Sequence, residues 1–286
     1  MQRLLILILM PIPVFAADAD DMAKQKAAIA ETAKKLKLKL STVETPELIV
    51  ATTLTETKAK TLADAAQKAV GVAKENLKFS KDESLVSGKV TLYVFTDHGD
   101  LKSFIRQVEL RRPEAEAFSV SLRGNVPHIA VSPDAGAKVI DADLIAHASC
   151  WAANVALSKK LGTAGPPIPE WLQVGYGRAC ALRSEPATKQ ANLRQKVKAV
   201  ITAKGKVPPT AKDLWGGTKF ADRDILAGSL IEYLAFGPIS EKFPGFARAA
   251  RGSTDEPPNM DEALKALDTN ADNLDYAWKT WIIKGK

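Results

Sequence analysis

An α+β fold, with a mixed β-sheet in the first half and a mainly helical second half, follows from three features of this sequence. Short β-branched runs bounded by turn residues fall before residue 140. Apolar residues at helical spacing dominate from Asp141 onward. No repeat and no low-complexity linker divides the two parts. The expected organisation is a leader over residues 1–16, a helical and extended segment over 17–45, and one domain over 46–286, sheet-rich to 140 and helical from 141.

The elements follow in order. Met1–Ala16 (MQRLLILILMPIPVFA) has one positive charge at Arg3, an apolar run over Leu4–Met10 and a small-x-Ala end at Val14-Phe15-Ala16. That is the layout of a secretory signal peptide, and the run is far short of the ~20 residues a membrane span needs. Export to the periplasm or beyond is expected, with no integral membrane span. Residues 22–35 predict a helix, and Lys34–Leu40 a solvated helix end passing into an alternating edge strand. Glu47–Leu54 reads as a strand, and Thr55 as the cap of a helix carrying Ala59, Leu62, Ala66, Ala69, Val70, Ala73 and Leu77 on one face. Lys89–Phe95 is a strongly apolar strand, and Leu101, Phe104, Ile105 and Val108 mark a helix ended by Pro113. Phe118–Leu122 and His128–Ser132 form a hairpin around Arg123-Gly124-Asn125. Helices are expected from Asp141 or Asp143 to Leu161, from Pro169 to before Pro186, and over Lys189–Ala203. Further helices follow near residues 222–235, 240–250, 260–267 and 273–283.

Composition sets limits on function. The 286 residues are 46% hydrophobic and 26% charged, which excludes fibrous, disordered and disulfide-scaffold classes. The net charge is +7, or +6 once Arg3 leaves with the leader, but the lysines are dispersed and lack interleaved aromatics. A nucleic-acid partner is therefore not expected. Two cysteines and three histidines (His98, His128, His147) leave little material for a metal centre.

Chemistry concentrates in two consecutive helical segments, LIAHASCWAANVAL at 144–157 and IPEWLQVGYGRACALR at 168–183. A zinc peptidase helix carries two histidines at i and i+4 with a glutamate general base between them. Here His147 stands at the first ligand position, Ala148 at the base and Trp151 at the second ligand. On these segments the chain resembles the gluzincin (peptidase-MA-like) superfamily of zinc peptidases, and more closely the bacterial exported peptidase-MA-like domains of unknown function. Their frame is LxxHExxH, then P-x-W-L-x-E-G-x-A, then a helical tail. Pro169-Glu170-Trp171-Leu172-Gln173-Val174-Gly175-Tyr176-Gly177 is similar to the second segment, with Val174 at the ligand glutamate. The likeness runs from about residue 46 through the tail DILAGSLIEYLAF, Met260–Leu267 and Leu274–Trp281. It implies a zincin-type fold with a lost zinc site and hence no cofactor, since three ligands and a general base are needed and only His147 is kept. Asp224 stands where the family places a tyrosine.

The resemblance also sets Cys150 and Cys180 on neighbouring helices, where they are candidates for a disulfide worth roughly 3–4 kcal/mol; two separately buried thiols are the alternative. In active relatives an edge strand beside the cleft pairs with extended substrate, which makes His128, Ile129, Ala130 and Val131 the candidate peptide edge. Other chemistries are weaker. Asp143 and His147 share a helix face, with dipole complementation the plainer role for Asp143. His147 and Cys150 are spaced as a histidine–cysteine nucleophile, although a cysteine on an Ala-rich helix is more often packed and inert. Glu170 reads as a helix cap rather than an acid. Asp268-x-Asn270-x-Asp272 lacks the turn glycine and bidentate glutamate of a calcium loop and reads as a cap. Trp171, Trp278 and Trp281 read as core. The leading expectation is an exported, inactive zinc-peptidase relative that binds a peptide or a cell-envelope protein in its relict cleft. The alternatives are a hydrolase with an unconventional centre at His147 and Cys150, and a structural component of the cell envelope.

Overall fold

The computed structural model describes residues 14–114, 117–123, 126–137, 141–162, 166–205, 207–252 and 258–285. Most of the leader, the tip of the 123–125 turn and Gly165 lie outside these. Five strands form a mixed sheet: β1 (Ser41–Glu44), β2 (Leu48–Thr52), β3 (Val90–Val94), β4 (Phe118–Ser121) and β5 (His128–Val131), in the order β1-β2-β3-β5-β4. β2, β3 and β5 run parallel, and antiparallel β1 and β4 close the two edges. Side chains alternate between faces along each strand. Leu48, Val50, Leu92, Val94, Ile129 and Val131 enter the large core, while Ile49, Ala51, Tyr93, Phe95 and Ala130 enter a smaller one.

Each face has its own cover. The small core is closed by α1 (Val14–Leu36), through Ile29, and by α3 (His98–Gln107), through Leu101, Phe104 and Ile105. The Asp97 side chain caps α3 by accepting from the Gly99 and Asp100 amides at 2.6 and 3.3 Å. The large core is closed by α2 (Glu56–Asn76), α4 (Asp141–Leu161), α5 (Glu170–Arg183) and α8 (Arg223–Phe236). Tyr176 ties three of them together. Its hydroxyl donates to the Ala73 carbonyl and to Asn76 Oδ1, and Asn76 in turn donates to the Ala235 carbonyl at 2.6 Å. α6 (Ala187–Ile201), α7 (Ala211–Trp215), α9 (Phe243–Arg251), α10 (Met260–Lys265) and α11 (Ala271–Lys284) complete the helical half.

The mixed α+β class is as read from the sequence; several local expectations change. The edge strand is β1 at 41–44, because Lys37 turns the chain with φ 56° at the end of α1 and leaves Leu38 and Leu40 packed on the small core. β1 precedes residue 46 and belongs to the same sheet. α3 stops at Gln107, before Leu110 at φ 54°, rather than at Pro113. The Thr55 side chain makes no cap bond to α2. α7 was not expected; its capping box, Thr210 with Asp213, is a signal present in the sequence. Asn270 caps α11 by accepting from the Asn273 amide at 2.9 Å. No helix among the described residues is long and apolar enough to cross a membrane.

Candidate functional site

α4 and α5 lie side by side because glycines remove the bulk between helices. A Cβ on Gly177 would fall 2.3 Å from the Cys150 carbonyl oxygen, and one on Gly175 would fall 2.8 Å from the Ala227 carbonyl of α8. This close approach brings His147, Trp151, Val174 and Arg178 into one neighbourhood under the end of β5.

His147 and Trp151 are one turn apart on α4, and the Trp151 indole N–H donates to His147 Nε2 at 2.8 Å. The lone pair through which such a histidine would bind a metal is therefore engaged by the residue standing at the second ligand position. The ring proton then sits on the other nitrogen, and the Ser132 backbone favours the charged form of the ring. Burial, and then the Arg178 guanidinium, hold the ring below its ordinary pKa against the opposite pull of Asp134 and Asp224, so it is neutral at pH 7. Asp143 is exposed and is not among the groups acting on the ring. Trp151 is 2% exposed and stacks on Phe118 of β4 with centroids 3.9 Å apart. Ala148 is fully buried in the large core and Val174 is partly buried against it. Among the described residues no three His, Cys, Asp or Glu side chains converge as a metal group.

The cysteines are free and buried, which corrects the expected Cys150–Cys180 disulfide. Cys150 Sγ meets α5 at the Val174 carbonyl, 3.6 Å away and over Gly177, a turn before Cys180, whose thiol lies beside Tyr176. Burial pushes the Cys150 thiol up to about 12, and Cys180 is raised further by the same cause. A nucleophilic cysteine needs the opposite shift, so the geometry disfavours a His147–Cys150 centre.

The peptide edge also moves. His128–Val131 is β5, flanked by β3 and β4, so its backbone is paired on both sides and the open edge is β4. The Ser132 amide donates to the Ala117 carbonyl at 2.9 Å. Bonded and non-bonded partners alternate along an antiparallel pair, so Ser119 and Ser121 bond to β5 while Phe118 and Val120 present their N–H and C=O groups outward. Two recesses of about 290 and 520 Å³ lie along that edge and share Val120 and Gln173. Trp151, Glu170 and Arg111 line the first, and Leu122, Ile168 and Arg251 the second. Glu170 is the first residue of α5, with Pro169 as its cap.

The imidazole of His128 serves another purpose. On the opposite face of β4 and β5 it joins a polar cluster in which Glu109 Oε1 lies 3.1 Å from His128 Nε2 and accepts from Ser119 Oγ at 2.6 Å, while Arg111 contacts Glu109 Oε2 at 2.6 Å. Burial pushes the Glu109 carboxyl up, and the hydrogen bonds from His128, Ser119 and Arg111 outweigh it, leaving the group below its ordinary value. His98 was missed as a neighbour of the site: its Nδ1 lies 3.0 Å from Ser132 Oγ, and its Nε2 is buried without a partner. The Arg178–Asp224 ion pair at 2.9 Å was missed too; Asp224 stands where the resembled family places a tyrosine. Trp171 and Trp278 are buried and Trp281 partly so, as core. Compared with known proteins, the sequence matches no family model and no curated protein.

Proposed function

We propose that this chain is an exported, catalytically inactive relative of the zinc peptidases that holds an extended peptide along the open edge of β4. The hydrogen bond from Trp151 to His147 Nε2 carries the first half of this reading. The residues do not fit a zinc ion: the single imidazole has its lone pair engaged, and Ala148 and Val174 bring no donor and no general base. The second half rests on β4. Phe118 and Val120 offer outward backbone donors and acceptors next to a groove, which is what strand addition requires, and the flanking recesses would receive alternate side chains. The leader-like Met1–Ala16 supports export.

The Val120→Pro variant tests the reading. Val120 is 40% exposed and its N–H points away from β5, so proline removes an outward donor without breaking the ladder. A fluorescent, positionally randomised decapeptide library is expected to bind saturably and to be recovered uncut by mass spectrometry. The variant is expected to bind about tenfold more weakly, the size of one or two lost backbone bonds. Cleaved peptide, or equal binding by wild type and variant, would overturn the reading.

A further inference from the structure

A second recess, separate from the β4 groove, lies among α4, α5, α6 and α8 and has a volume of about 300 Å³. Its walls are apolar, formed by Ile145, Leu182, Leu193, Val197 and Ile225. Its floor is polar and incompletely satisfied. Ser149 is 3% exposed, and its Oγ has no hydrogen-bond partner. Arg178 lies across Gly228, where an added Cβ would meet Arg178 Cβ at 3.0 Å, and its Nε–H is likewise buried without a partner. Such groups are costly to bury unless something accepts from them.

Guanidinium groups gather at the same place. Glu232 is fully buried and is clamped by Arg183, at 2.8 Å, and by Arg194. Asp224 pairs with Arg178. Of the charged side chains that line the recess, Arg178 and Arg194 are thus each held against a carboxylate. At the mouth Glu185 is paired with Lys189 at 3.0 Å, and Asp143 and Lys196 also line the recess. Apolar walls that end in two unsatisfied donors, one of them a guanidinium N–H, match a small monoanion with an apolar body.

We infer that this recess binds a small carboxylate carrying a short hydrocarbon tail, its oxygens accepting from Ser149 Oγ and Arg178 Nε and its tail lying between α6 and α8. The inference does not depend on the peptide reading.

Calorimetric titration of the full mature chain with straight-chain carboxylates from butanoate to decanoate, each compared with the primary alcohol of equal length, tests it. Saturable binding with an optimum chain length is expected, with the alcohols about tenfold weaker or more, as expected when a charged acceptor is lost. Ala146 is exposed at the lip, so Ala146→Trp should fold normally and abolish binding by closing the entrance. Arg178→Gln should erase most of the carboxylate-over-alcohol preference, while Val120→Pro leaves the titration unchanged. No binding by any chain length, or binding indifferent to both Ala146→Trp and Arg178→Gln in variants that melt like wild type, would overturn the inference.

Discussion

The His147–Trp151 pair has a thermodynamic signature. The native ring is held below the ordinary histidine value of 6.5, so below that pH the unfolded chain takes up a proton that the native ring resists. The unfolded state then binds more protons, and stability rises with pH across that window. The protein is therefore expected to lose stability as pH falls below about 6.5, before most carboxylates titrate. His147→Gln keeps an acceptor for the indole and should flatten this part of the profile, which urea midpoints across the acid range will show. An equally steep profile in the variant would assign the effect elsewhere. At this scale much of the site was legible, because positions i and i+4 share a helix face and spacing alone brings residues 147 and 151 together. The cysteine pairing was not legible. It depends on which level of α5 faces Cys150, and that is set by Gly177, a residue whose role appears only once α4 is packed against it.

Among the elements, the contact of α4 with α5 is the most sensitive to change. Gly177→Ala drives a methyl into the Cys150 carbonyl oxygen and Sγ and the Asn154 amide, all within 2.7 Å, and backbone cannot yield as a side-chain tip does. The expected cost is about 3 kcal/mol, near the upper end for overpacking, or a fall in Tm of roughly 5–10 °C. Gly71→Ala in α2 meets nothing within 4 Å and should be neutral or stabilising by up to about 1 kcal/mol. Scanning calorimetry of both variants separates crowding from helix propensity; equal Tm values would refute the account. The strands teach a related lesson. Phe118–Ser121 alternates apolar and polar, the pattern of an edge strand, whereas His128–Val131 is a nearly unbroken apolar run buried on both faces. The hairpin was readable from its turn. That its second strand inserts next to β3 is a long-range pairing, and this contrast in pattern was the only local sign of it.

For the molecule as a whole, the sheet needs a cover on each face, and α1 supplies half of one. Gln25 grips the Lys89 backbone through both its amide oxygen and its nitrogen, Ile29 fills the small core, and Thr32 Oγ1 lies 3.4 Å from the Tyr93 hydroxyl. A chain beginning at Ser41 would uncover Ile49, Ala51, Tyr93 and Phe95. It is expected to bind the dye ANS strongly and to aggregate; a monomeric, dye-silent product would show that α3 covers the face alone. The alternation of each strand made the two-faced sheet readable, but which helix covers which face is fixed only when the crossovers close. All five tryptophans lie after residue 141, and among the described residues Trp151 alone stacks on a strand, through Phe118. The tryptophan emission of this protein therefore originates wholly in its helical half, with one emitter set between an imidazole and the open strand. Occupancy of the groove and the charge on His147 should both register in that one indole, giving the molecule a built-in optical gauge that needs no attached dye.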